Sequence, residues 1–226
     1  HCYKRSKLSD LLDDVYVATC DNEIFEYIER IGGRAVMTSG SHTRASDRTA
    51  EALLKIESMT GRKVDIVVML QGDEPMVTPE MIQAATQPLI DSPEIKISNL
   101  YTNIHTLEEF EDPNEVKVVV NSFKFALYFS REPIPSRKKG ITNVPMYKQV
   151  CVIPFKRDFL LEYNNMEETP LEIIESVDMM RILENDMRVK MIFTDQDTYS
   201  VDTPEDLEKV VEKMKNDDYI PQYLVD

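Results

Sequence analysis

Asp73 and Glu74 follow a mostly apolar run, residues 64–70, after two intervening residues, within the sequence Gln-Gly-Asp-Glu-Pro. A nearly continuous apolar run is typical of a strand that is buried on both faces. Gly72 and Pro75 break the run, so both carboxylates should lie at the carboxyl end of that strand, the edge where open α/β sheets bind ligands. A carboxylate there can hold Mg²⁺ against the phosphates of a nucleotide. An acidic turn without a ligand is the alternative that these residues leave open.

Two arginines are placed where they could bind anions. Ser46-Asp47-Arg48 follows a polar loop and opens a predicted helix, whose first N–H groups favour negatively charged ligands. Arg131 follows an apolar strand and precedes two prolines. An arginine presented by such a rigid loop suits bidentate binding of a carboxylate. A surface arginine without a ligand is the alternative for Arg131.

The elements that must position these side chains alternate between strand and helix. Apolar runs predict strands over 14–19, 35–37 and 64–70, and the segments between them predict helices over 23–28 and 47–57. Such alternation is typical of βαβ units, in which the strands run parallel and the helices cover the sheet. The sequence therefore predicts an α/β fold with a mostly parallel sheet.

The second half of the chain adds a hairpin and further helices. The predicted elements are a helix from Pro79, a strand over 95–100, an antiparallel hairpin of 116–120 and 125–130, a strand over 150–153, helices over 159–163 and 170–183, a strand over 188–193, and a helix from Pro204. Thr78 and Thr203 each precede a proline at the start of a helix. Threonine caps the free N–H groups, and proline is tolerated in the first turn.

Composition and charge narrow the function classes. The chain has 226 residues, 42% of them hydrophobic, and a net charge of −15, which suit one large domain or a domain with a subdomain. The negative charge argues against binding of nucleic acid or anionic membranes, because phosphate groups would be repelled. The three scattered cysteines indicate neither a disulfide framework nor a zinc site, so we expect a protein of the reducing cytoplasm.

A set of segments, in order along nearly the whole chain, resembles one enzyme family. They are Val15–Asp21, Gly32-Gly33, Val36–Ser39, Ser46-Asp47-Arg48 with Glu51, Gln71–Pro75, Ala126–Arg131 with Pro133-Ile134-Pro135, Thr169–Glu172 and Val201–Leu207. This set is similar to the cytidylyltransferases that activate 3-deoxy-manno-octulosonate (Kdo), the CMP-Kdo synthetases. The resemblance implies that CTP and a sugar acid react to give the CMP-sugar and pyrophosphate, for surface polysaccharide or lipopolysaccharide synthesis.

The resemblance also implies a fold and an assembly. The fold would be a Rossmann-like nucleotidyltransferase sheet of the GT-A-like type, with a small antiparallel dimerisation subdomain. We therefore expect a single domain over residues 1–226. Its core would comprise about 1–115 and 185–226, with an inserted subdomain over about 116–184. By analogy with the family, the protein would be a homodimer.

Site roles follow from the same resemblance, position by position. Asp73 and Asp202 would hold Mg²⁺ and act in catalysis, because transfer at a phosphate requires neutralised charge and exact positioning more than covalent help. A solvated residue before a helix cap is the alternative for Asp202. The residues facing the nucleotide would be Ser46, Asp47, Arg48, Gln71 and Asp73. The residues binding the sugar acid would be Arg131, Gln149, Asp178 and Met179.

The pocket residues depart from the family pattern in three places. Gln149 and Ile153 stand where the family usually has His and Tyr, and Asp178-Met179 stands where it has Glu-Gln. These changes remove polar partners for hydroxyl groups, and hydrogen bonds to hydroxyl groups discriminate strongly between substrates. We therefore expect the sugar to be Kdo or a relative such as an amino- or deoxy-ulosonic acid.

The beginning of the chain is the other departure. We expect the family's first strand and its basic phosphate-binding loop, of the type Arg-x-x-Ser-x-Arg-Leu-Pro-x-Lys-Pro, to precede His1. Without that loop we expect the 226 residues alone to be inactive or very weak. Two alternatives to the CMP-Kdo synthetase interpretation stay open: another sugar nucleotidyltransferase of this fold, and an inactive homologue that binds a sugar.

Overall fold

The computed structural model describes residues 1–224. The helices are α1 Cys2–Ser6, α2 Asn22–Arg30, α3 Ala45–Thr60, α4 Pro79–Asp91, α5 Leu107–Glu111, α6 Arg157–Asn164, α7 Pro170–Glu175, α8 Met179–Glu184, α9 Pro204–Met214 and α10 Ile220–Tyr223. The strands are β1 Val17–Thr19, β2 Ala35–Met37, β3 Ile66–Leu70, β4 Ser98–Asn103, β5 Lys117–Val120, β6 Ala126–Ser130, β7 Tyr147–Val150, β8 Val152–Lys156 and β9 Lys190–Phe193. The expected core extends to residue 226, so its last two residues lie outside the described part.

The first βαβ unit shows how the local sequence sets the elements. Asp21 caps α2, its side chain accepting hydrogen bonds from the N–H groups of Glu23 and Ile24 at 2.8 and 3.1 Å, which satisfies two of the free donors at the helix start. Gly33 follows the helix where a Cβ would lie only 2.7 Å from Ile28 Cγ2. A larger side chain at Gly33 would therefore clash with the end of α2; β2 follows and pairs in parallel with β1.

The strands pair in three groups within residues 1–224. β1 pairs with β2, β3 pairs antiparallel with β8, and a five-stranded sheet has the order β6-β5-β7-β4-β9. In that sheet β4 and β9 are parallel, whereas the other neighbours are antiparallel. The α/β class is confirmed, and the pairing is mixed. The predicted hairpin is β5–β6, and β7 hydrogen-bonds the expected insert to β4 of the core.

The main core is formed by helices α3, α6 and α8 with strands of the five-stranded sheet and of the β3–β8 pair. Leu53, Leu160 and Met180 from the helices cluster with Phe129 and Phe155 from the strands, and all five are at most 2% exposed. Within residues 1–224, no helix combines the length and apolar character that crossing a bilayer requires.

Two sequence predictions about elements were wrong, and both errors concern the site. The predicted helix 170–183 is two helices, because Ser176 adopts a left-handed conformation with φ of 53° that ends α7. The predicted strand 150–153 is two strands that separate at Cys151. β7 pairs with β4, whereas β8 pairs with β3. The change of partner at Cys151 arises from pairing with strands that are distant in the sequence. The pattern of hydrophobic residues along the chain does not indicate those partners.

Candidate active site

A cavity of about 290 Å³ opens at the carboxyl end of β3. Its walls come from β3, β7 and β8, from the loop after β3, from the segment before β5 and the residue after β6, and from the segments before α8 and α9. We call residues 71–75 the acidic loop. The lining carboxylates are Asp73, Glu74, Glu115, Asp178 and Asp202, and Arg131 is the cationic residue among the lining side chains. The predicted position of the acidic loop at a strand end is confirmed.

Asp73 and Asp202 are brought to the same cavity from positions far apart in the sequence. The backbone N–H of Val201 donates to the carbonyl oxygen of Asp73 at 2.9 Å, which joins the two segments directly. Ser200 Oγ donates to the Asp202 carboxylate at 3.1 Å. Burial raises the pKa of Asp73, and the nearby charge of Asp202 raises it further. The two carboxylates therefore share one electrostatic environment.

The Asp73 carboxylate has an oxygen that suits a cation. Its Oδ1 atom is buried and has no hydrogen-bond partner within residues 1–224, although an unpaired buried polar atom is costly. No group of three or more His, Cys, Asp or Glu side chains in the same residues is arranged around a metal position. Mg²⁺ is commonly held by one or two carboxylates plus phosphate oxygens and water. The pair of Asp73 and Asp202 fits that pattern.

Ser46 lies behind the cavity and orients one of its walls. Its side chain is fully buried, and its Oγ donates to Asp178 Oδ2 at 2.6 Å. Burial raises the pKa of Asp178, while the Ser46 hydroxyl acts in the opposite direction. Arg48 Nη1 donates to Thr38 Oγ1 at 2.6 Å, and Asp47 is half-buried on the first turn of α3. None of these three residues, Ser46, Asp47 and Arg48, is a lining residue of the cavity.

Gln71, Gln149 and Asp178, which the resemblance assigned to the nucleotide and the sugar acid, line the same cavity. The Gln149 side-chain amide donates to Oδ1 of the buried Asn99. Asn99 is itself anchored by donation to the carbonyl of Val150 at 2.7 Å. This chain of hydrogen bonds fixes Gln149 on β7, so the side chain is a rigid part of the wall.

Sequence comparisons with known proteins agree on the family to which this chain belongs. The sequence model of a family described as "Cytidylyltransferase" matches residues 1–191. The 3-deoxy-manno-octulosonate cytidylyltransferase of Geotalea uraniireducens is 40% identical over 225 residues, covering 95% of this chain and 87% of that protein. That of Fusobacterium nucleatum is 40% identical over 214 residues, covering 94% and 84%. The chain belongs to the 3-deoxy-manno-octulosonate cytidylyltransferase family.

Solved structures support the same assignment. A CMP:2-keto-3-deoxy-manno-octonic acid synthetase complexed with CTP superposes with a TM-score of 0.83 at 33% identity, covering 95% of this chain and 86% of that one. A 4-diphosphocytidyl-2C-methyl-D-erythritol synthase from Anaerococcus prevotii gives 0.58 at 13% identity over 94% and 86%. The second likeness shows the fold alone. The predicted nucleotidyltransferase fold is thus confirmed.

The structure places Met179 and Arg131, two residues that the resemblance assigned to the sugar acid, in different surroundings. Met179 is fully buried in the main core and does not line the cavity. Because successive residues of a helix point about 100° apart, Asp178 faces the cavity and Met179 faces inward. Arg131 does line the cavity, but its Nε, Nη1 and Nη2 atoms donate to the carbonyls of Glu175, Pro113 and Ser176 at 2.8, 2.8 and 3.3 Å. Those bonds tie two walls of the cavity together.

Glu74 is a site residue to which sequence reasoning assigned no role in this family. It is 6% exposed and lines the cavity, and the N–H of Cys151 donates to its Oε1 at 3.5 Å. Burial, helped by the charge of Asp73, raises the pKa of Glu74 to about 7. Its position beside Asp73 in the acidic loop was the available signal.

Glu74→Gln is expected to change how stability depends on pH. The folded protein holds this proton with a pKa of about 7, whereas the ordinary value is 4.5. The free energy of unfolding should therefore fall as pH rises between these values, by on the order of 3 kcal/mol. Glutamine has no proton to lose, so the variant should be the more stable protein above about pH 7. Urea unfolding of the wild type and of Glu74→Gln, in metal-free buffer from about pH 5 to about pH 8, measures the free energy of unfolding of each protein against pH.

The exposed Glu94 provides the matched control. Glu94→Gln makes the same chemical change outside the cavity and should leave the wild-type pH dependence intact. Parallel curves for wild type and Glu74→Gln would show that Glu74 ionises normally in the folded protein.

Proposed function

We propose that this protein transfers the cytidylyl group of CTP to a 3-deoxy-ulosonic acid, Kdo or a close relative, giving the CMP-sugar and pyrophosphate. The observation that carries the proposal is the pairing of Asp73 and Asp202 in one cavity. Family membership supports it, as does the likeness to a synthetase complexed with CTP. The product would serve lipopolysaccharide or surface polysaccharide synthesis, in the cytoplasm.

In the proposed reaction a sugar hydroxyl attacks the α-phosphorus of CTP and pyrophosphate leaves. Asp73 and Asp202 would hold Mg²⁺, and the bound ion would neutralise charge on the phosphates. We propose that Gln71, with the Ser46-Asp47-Arg48 turn, serves the nucleotide side of the site. Asp47 and Arg48 do not line the cavity, so in this proposal they would act on the nucleotide from the first turn of α3, outside the cavity walls.

The sugar acid would occupy the wall formed by Arg131, Gln149 and Asp178. Arg131 still has N–H groups beyond the three that bind backbone carbonyls, so we keep it as the partner of the substrate carboxylate. Gln149 and Ile153, which both line the cavity, would set which sugar fits. We also propose a homodimer built on the subdomain over about 116–184.

A pyrophosphate-release assay of the complete gene product tests the proposal. With Mg²⁺ and a panel of ulosonic acids, CTP should be used in preference to UTP, ATP and GTP. Equal use of UTP or ATP would show another sugar nucleotidyltransferase of this fold. Sugar binding without turnover of any nucleotide would show an inactive homologue. If Kdo is used as efficiently as every amino- or deoxy-ulosonic acid, the changes at Gln149 and Ile153 do not alter specificity.

A further inference from the structure

The backbone of the acidic loop is held from outside the cavity. The Gly72 carbonyl accepts a hydrogen bond from Cys2 Sγ at 3.2 Å, and the Pro75 carbonyl accepts one from Arg5 Nε at 3.0 Å. Both donors belong to α1. Since the carbonyl of Asp73 is already bonded to the segment of Asp202, the carboxylate pair is positioned by contacts on both sides of Asp73.

Arg5 is engaged at every nitrogen of its guanidinium. While Nε donates to Pro75, Nη1 and Nη2 donate to the two carboxylate oxygens of Asp217 at 2.9 and 2.6 Å. The Arg5 side chain is 0% exposed and that of Asp217 is 8% exposed. The Tyr219 ring centroid lies 5.0 Å from Arg5 Cζ. A guanidinium held by a bidentate carboxylate is fixed in its plane and direction, and this fixes the Nε–H bond that donates to the Pro75 carbonyl.

The Asp217 carboxylate makes further hydrogen bonds besides those with Arg5. Its Oδ1 also accepts from the N–H groups of Tyr219 and Ile220 at 2.9 and 3.2 Å, which opens α10. Tyr219 Oη donates to Glu80 on α4 at 2.5 Å. The segment that carries Asp217 therefore contacts both α1, through Arg5, and α4, through Glu80. Helix α4 begins a few residues after the acidic loop.

We propose that Asp217 is a positioning residue that acts through Arg5 to hold Asp73 in register with Asp202. The proposal rests on the proposed function in its catalytic consequence, because two carboxylates serve one cation only while their separation is fixed. Nothing in it requires Asp217 or Arg5 to touch a substrate. Residues that orient ligand-bearing groups in this way typically change metal affinity or activity by about 10–100-fold when replaced.

Asp217→Asn tests the proposal, with the exposed neighbour Asp218→Asn as the matched control. The first measurement is the Mg²⁺ concentration that gives half-maximal turnover at saturating CTP and sugar acid. We expect it to rise about 10–100-fold for Asp217→Asn and to stay at the wild-type value for Asp218→Asn. Arg5→Lys keeps the buried charge but not the fork, so we expect it to fold and to raise the Mg²⁺ requirement as well.

The second measurement is hydrogen exchange of the metal-free protein, which is independent of activity. The N–H groups of Glu74 and Val77, which bond within the acidic loop and the turn after it, should exchange at least about tenfold faster in Asp217→Asn and Arg5→Lys. Amides of β4 should exchange as in the wild type. If the complete gene product of the wild type has no turnover, the proposed function fails, whereas hydrogen exchange still tests the positioning role. Unchanged Mg²⁺ requirement and unchanged exchange in a folded Arg5→Lys protein would overturn the proposal.

Discussion

Asp73→Asn is expected to reduce turnover by about 10²–10⁴-fold, because a metal-held phosphate contributes several kcal/mol of transition-state stabilisation. The free energy of unfolding should change little in the same variant. Burial already raises the pKa of Asp73, and its Oδ1 atom lacks a protein partner within residues 1–224, so a neutral amide is tolerated there. The measurement is kcat with saturating CTP, sugar acid and Mg²⁺, together with urea unfolding of the metal-free protein.

Asp202→Asn should behave in the same way, and the double variant should be little worse than either single one. Groups that serve one ion lose their effect together, so their free-energy changes are not additive. Asp195→Asn, an exposed carboxylate change in the same region of the chain, is the control and should retain wild-type kcat. Near-normal Mg²⁺-dependent turnover in Asp73→Asn would remove Asp73 from the site.

Glu172→Gln is expected to cost about 3–5 kcal/mol of unfolding free energy, because it leaves a buried arginine without its charged partner. Arg181 Nε and Nη2 each donate to the Glu172 carboxylate at 2.7 Å, and the two side chains are 3% and 0% exposed. The Tyr163 ring lies 4.6 Å from Arg181 Cζ. The pair joins α7 to α8 on either side of the turn that presents Asp178. Urea unfolding of wild type and variant measures the loss.

A double variant separates the cost of an orphaned charge from the worth of the pair. Glu172→Leu with Arg181→Met removes both charges and keeps most of the apolar volume, so it should be clearly more stable than Glu172→Gln. Glu212→Gln breaks the exposed ion pair with Lys215 and should leave stability unchanged. If Glu172→Gln were as stable as Glu212→Gln, the buried pair would contribute nothing.

Local patterns in the sequence indicated where parts of the candidate site lie. The change from an apolar run to Gly-Asp-Glu-Pro placed Asp73 at a strand end, and Thr-Pro pairs marked the starts of α4 and α9. Segments shared with a family indicated the family itself, which the comparisons confirm. These features are readable because strand burial, capping and helix starts depend on residues close together in the chain.

Other features depend on which distant segments meet. The periodicity of 170–183 predicts one helix, but packing of Val177 and Met179 in the core accompanies a break at Ser176. That break turns Asp178 into the cavity and Met179 away from it. Likewise the chain changes its strand partner at Cys151, because β7 pairs with β4 and β8 pairs with β3. Hydrophobicity along the chain does not reveal which strands will pair.

By itself, then, the sequence determined the α/β class, the acidic loop at the end of β3 and membership of the family. The tertiary structure alone decided which backbone bond joins the segment of Asp202 to Asp73, that Glu74 is buried beside Asp73, and that Asp217 holds Arg5 across 212 positions of sequence. The physical reason is the separation along the sequence of the residues that interact. Caps and periodicity arise among neighbours in the chain, whereas burial of charge and the pairing of carboxylates arise only when remote segments exclude water together.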